Sequence, residues 1–143
     1  ITTAMCNSFK QELLGGVHDL DTHTLKIALI KPSMSGTYGA ATTNYSDVTG
    51  NSDEATGTGY SAGGQTLDSA SISLSGTTAF LDFADEVFST LTLSARGAII
   101  YNSSASNKAI AVFDFGSTVT ATNGDFTVVF PTADASNAVI RIT

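Results

Sequence analysis

The chain has 143 residues, 42% of them hydrophobic and only 13% charged, with a formal net charge of −7. That length suits one domain able to bury roughly two-thirds of its unfolded surface, and the acidic balance argues against nucleic acid or an anionic membrane as a partner. No apolar run approaches the roughly 20 residues of a membrane helix, and one cysteine, Cys6, allows neither an internal disulfide nor a thiolate-rich zinc site.

The stretch TTAMCNSFKQELLGG predicts the one helix, within residues 1–16. Met5, Phe9 and Leu13 recur at i, i+4 and i+8, Cys6 and Leu14 widen the stripe, and Lys10, Gln11 and Glu12 form the polar face. Gly15 and Gly16 supply the stop. A helix this short is marginal alone, so its stripe needs cover, from the chain's own sheet or from a neighbouring subunit. Met5, Phe9 and Leu13 are therefore the candidate protein-interaction residues. No basic start followed by an apolar stretch suggests a signal peptide.

Beyond residue 16 the period shifts towards 2. THTLKIALIK (22–31) predicts a strand facing inward through Leu25, Ile27 and Leu29, ended by Pro32. Residues 33–64 are poor in apolar side chains and read as a long surface excursion ending in GTGYSAGG (57–64). There Gly57, Gly59, Gly63 and Gly64 allow a tight backbone path anchored by Tyr60. QTLDSASISLS (65–75) offers Leu67, Ile72 and Leu74 for burial, and TTAFLDFAD (77–85) follows. STLTLSARGAIIYN (89–102) turns Leu91, Leu93 and Ala95 inward, with Gly97 at a bulge or corner. NSSASN (102–107) is a loop, KAIAVFDFG (108–116) a strand, Asn123-Gly124 a turn signal, and DFTVVF (125–130) and NAVIRIT (137–143) close the chain. Ile100, Val112, Phe126, Val128 and Phe130 join Leu25, Ile27 and Leu29 as the expected core. Strands that do not alternate with helices predict an all-β fold. It is a single domain over 1–143: an N-terminal helix, then an antiparallel sandwich or barrel of about seven strands over 17–143.

No constellation points to catalysis, and the expectation is that the chain is not an enzyme. His18, Asp21 and His23 in HDLDTH match no zinc spacing and read as a polar turn. Cys6 lies on the apolar stripe, and no serine sits in a nucleophile elbow. Asp82, Asp85 and Glu86 offer hard oxygens, but a solvated turn explains them better than calcium. GTGYSAGG lacks the ending of a phosphate loop. Arg96 and Arg141 sit on strands, exposed or paired with an acid on a neighbouring strand or chain. No metal or other cofactor is expected.

Five blocks in order resemble one family. NSFKQELLGGVHDLDTHTLKIALI (7–30), GTGYSAGG with QTL (57–67), LTLSARGAIIYN (91–102), AVFDFG (111–116) and NGDFTVVFP (123–131) are similar to segments of small virion structural proteins of tailed bacteriophages, especially marine and cyanobacterial ones. The resemblance implies a cofactor-free particle component located in the virion. Its partners would be other virion proteins, of capsid or tail, and copies of itself, with neither nucleic acid nor membrane among them. A capsid decoration (cement) protein is the first expectation and a tail or fibre attachment protein the second. An extracellular filament subunit would require an export route, and a carbohydrate-binding module would require an exposed row formed by Tyr38, Tyr45 and Tyr60.

Overall fold

A computed structural model describes residues 1–143. The elements are β1 (Ala4–Met5), α1 (Asn7–Leu14), β2 (Leu25–Ile30), α2 (Ser46–Gly50), β3 (Gln65–Thr66), β4 (Ser71–Ser75), β5 (Thr78–Asp82), β6 (Glu86–Asn102), β7 (Lys108–Val128) and β8 (Ile140–Ile142). They form two antiparallel sheets, one ordered β1-β7-β6-β2-β3 and one ordered β4-β5-β8. A single apolar cluster includes buried residues from both sheets, so one core serves the whole chain. The all-β expectation holds.

The hairpin of β6 and β7 is the spine. Its closed end is the 102–107 loop, where Ser106 and Asn107 both take left-handed backbone (φ 54° and 59°). Small polar residues tolerate that conformation best after glycine. β2 lies against β6 in unbroken register from Leu25↔Asn102 to Ile30↔Gly97. Within β2, Leu25, Ile27, Ala28, Leu29 and Ile30 are all buried, so both faces of the strand are covered.

The second cover comes from the segment between β2 and β3, which corrects its reading as a surface excursion. Tyr38, Val48 and Ala55 are buried in the common core, and Thr42 and Asp53 are buried with them. The signal was weak because this cover uses widely spaced apolar side chains and one buried carboxylate instead of an alternating run.

Two further expectations change. Asn123-Gly124 is no turn: β7 runs through it, with Leu91 opposite Gly124 and Leu93 opposite Ala121. The left-handed Asn123 (φ 48°) accommodates the extra residue of a bulge there. The same dipeptide chemistry serves a hairpin turn or a bulge, so the sequence signal is degenerate. Ile72 and Leu74 are not buried either; they are 53% and 73% exposed on the edge strand β4. Gly97 does sit at an irregularity, where Ala95 pairs with Val119 but Gly97 with Asp114. A Cβ at Gly97 would lie 2.2 Å from the Phe113 carbonyl oxygen.

Of the expected core residues, all are buried except Val128, which packs half-buried against the cluster. Phe126 meets Phe88 edge-on at 6.4 Å and Phe115 at 5.9 Å between ring centroids. Phe126→Ala should therefore cost about 3–5 kcal/mol, read from the denaturation midpoint. A change within about 0.5 kcal/mol, the range of ordinary surface substitutions, would show that the ring carries no packing load.

Candidate interaction surface

The N-terminal stripe finds its cover inside the chain. β1 pairs with β7 at Ala4↔Val112 and Met5↔Ala111, so Met5 belongs to a strand and not to the helix. The Cys6 amide continues the attachment by donating to the Ile110 carbonyl at 2.9 Å. Phe9 is wholly buried and stacks obliquely on His18 at 5.0 Å, while Met5 and Leu13 pack half-buried against the core. Phe9 has no surface left for a partner, and Leu14, which widened the stripe, is 92% exposed. Burial pushes the Cys6 thiol up to about 12, reinforced by the nearby Asp47 and Glu12 carboxylates, so it stays protonated and unreactive.

The polar turn after α1 is closed by an amide. Asn102, fully buried, donates from its Nδ2 to Nδ1 of His18 (3.0 Å) and to Nδ1 of His23 (2.9 Å). His18 then offers Nε2 to Glu12 at 2.8 Å, and Glu12 also pairs with Lys108 at 3.2 Å. Asp21 takes no part, so His18, Asp21 and His23 are not one ligand set. Asp85 and Glu86 go to separate partners: Asp85 accepts from the Phe130 amide, and Glu86 accepts from Gln65, while the buried Oδ1 of Asp82 has no hydrogen-bond partner. Burial raises the Glu86 carboxyl above its ordinary range. Arg96 pairs with Asp114 across the β6–β7 ladder, Nε to Oδ1 at 2.7 Å, and Arg141 donates to the Ala135 carbonyl.

GTGYSAGG forms a clamp across two strands. Thr58 bridges Thr92 of β6, where a Cβ on Gly57 would come within 2.1 Å of the Thr92 carbonyl oxygen. A Cβ on Gly59 would come within 2.5 Å of the Thr90 carbonyl oxygen, and Gly64 lies against Ile27 of β2. Between these contacts the Tyr60 hydroxyl accepts from the Leu29 amide (3.0 Å) and donates to Glu54 (2.8 Å). Glu54 also accepts from the Gly63 amide and from Tyr45, and Tyr101 donates to the Gly63 carbonyl. Burial raises the phenols of Tyr60 and Tyr45 above their ordinary range, and Glu54 beside them adds to the effect. Tyr38, Tyr45 and Tyr60 all turn their hydroxyls onto internal carboxylates, so they do not form the exposed aromatic row that a glycan site requires.

The second sheet carries exposed apolar side chains beside its buried ones. Pairing places Ile72, Leu81 and Ile140 in one row, and Leu74, Ala79 and Ile142 in the next, on the same face. Leu81 and Ile140 are buried, whereas Ile72, Leu74 and Ile142 stand 53%, 73% and 52% exposed. A cleft of about 60 Å³ beside Ile72 and Ile142 is lined only by apolar residues, among them Leu20, Phe80 and Leu81. Sequence alternation found Ile72 and Leu74 but assigned them to burial, because alternation does not say whether a facing layer exists. No helix is long and apolar enough to cross a membrane. Comparison with family models, curated proteins and solved structures finds no match.

Proposed function

We propose that the chain is a repeated structural subunit of a phage virion, a capsid decoration protein that binds capsid and like subunits. The observation that carries this reading is the group of exposed apolar side chains Ile72, Leu74 and Ile142 on the second sheet, since adjacent exposed apolar side chains mark contact sites on soluble proteins. The ordered sequence resemblance to small phage virion proteins supports it. So does the use of the interior polar groups: Asp53 and Glu54 tie loop segments to one another, and Asn102 of β6 ties down the turn that carries His18. The reading predicts that the chain co-purifies at high copy number with density-gradient-purified particles. Mass spectrometry of such particles checks this, and absence of the chain from them would overturn it.

A further inference from the structure

We infer that β4 pairs with β4 of a second copy about a twofold axis through Ser73, joining the two three-stranded sheets into one of six strands. This deepens the assembly role proposed above and rests on it. β4 is an edge strand with all five residues exposed. Residues 69–81 carry no charged side chain in a chain of net charge −7, so two copies can approach here without opposed carboxylates. None of the usual guards of an edge, such as lysine or proline, is present on the strand.

The hydrogen-bonding side is also defined. A two-residue turn, Gly76-Thr77, joins Ser75 to its partner Thr78. Such a turn closes on a hydrogen-bonded pair, so Ser71, Ser73 and Ser75 bond to β5 while the amides and carbonyls of Ile72 and Leu74 point outward. The sequence Ser71-Ile72-Ser73-Leu74-Ser75 reads nearly the same in both directions. Antiparallel pairing centred on Ser73 sets Ile72 against Leu74 of the second copy, and Ser71 against its Ser75. Each apolar side chain meets an apolar one on the face that carries Ile142, and each serine meets a serine on the other face. One strand edge buries less than the roughly 1,200 Å² of a standard interface, so the pair is weak in dilute solution and forms at high local concentration.

In this register Ser73 faces its own copy as a non-hydrogen-bonded pair, with Cα atoms about 4.5 Å apart, within disulfide range. Ser73→Cys should therefore become a disulfide-linked dimer under mild oxidation at high protein concentration. Ser71→Cys or Ser75→Cys alone should remain monomeric on a non-reducing gel, yet an equal mixture of the two should cross-link. Buried Cys6 gives no background, and all three serines are exposed, so folding is unaffected. Ile72→Lys with Leu74→Lys should abolish the concentration-dependent mass increase of the unmodified chain in sedimentation. If the chain self-associates but Ser73→Cys does not cross-link, or all three cysteines link equally, the pairing is wrong while the assembly role stands. A chain that shows no self-association, no cross-linking and no presence in particles sinks both.

Discussion

Gly64→Ala should destabilise the protein by about 3 kcal/mol or more, lowering the melting temperature by on the order of 10 °C. Gly64 has φ +69°, a left-handed conformation that costs a residue with a Cβ about 1–2 kcal/mol. A Cβ there would also stand 1.8 Å from the Ile27 carbonyl oxygen and 2.8 Å from Ala28 Cα. Those atoms belong to the interior β2 strand, which is hydrogen-bonded to β6, so they cannot withdraw cheaply. The clamp must move instead, pulling Gly63 away from Glu54 and Tyr101. Gly16→Ala is the control: Gly16 lies just past the end of α1 with φ +74°, but nothing lies within 4 Å of the added carbon. It should cost only the conformational penalty of about 1–2 kcal/mol. Denaturant midpoints at constant slope measure both. Equal shifts for the two variants would show that the clamp does not press on β2.

The fold class and most of the core were legible because strand alternation is a local signal. Leu91, Leu93 and Ala95 point inward as their spacing requires, and Leu25, Ile27, Leu29 and Phe126 are buried. Tyr60 and its glycines were legible as an anchored segment because few other sequences let backbone pass so near a neighbouring strand. What could not be read is whatever depends on a distant partner. Phe9 on a helical stripe needs cover, but the sequence does not say that β7 of the same chain provides it. Ile72 and Leu74 alternate like core residues, yet no layer of the fold covers them. Asp53 offered no signal at all. A lone aspartate in a polar segment looks solvated until the fold brings Lys31, Ser35, Gly36 and Tyr38 around it.

Asp53→Ala is expected to cost about 3–5 kcal/mol at neutral pH, the usual effect of removing one partner from a buried charged site. The carboxylate is fully buried; it accepts from the Gly36 amide at 2.7 Å, the Ser35 amide at 2.9 Å and the Tyr38 hydroxyl, and pairs with Lys31 at 3.2 Å. Its loss leaves Tyr38 and two amides without their acceptor and detaches the 31–38 segment from the core. Burial alone would raise the Asp53 carboxyl, but these donors outweigh it and hold the group well below the ordinary carboxylate range. A carboxyl depressed in the folded state contributes its stability above the unfolded value, about pH 4. That contribution declines as the pH falls below about 4, towards the folded value. The stability difference between wild type and Asp53→Ala should accordingly be constant from neutral pH down to about pH 5 and then narrow. Taking the difference cancels the other shifted carboxyls, such as Asp114, which Arg96 lowers to about 2. Denaturation of both proteins across this range measures the gap. A gap that stays constant as the pH falls well below 4, or that widens there, would mean that Asp53 does not act as a buried ionised clamp.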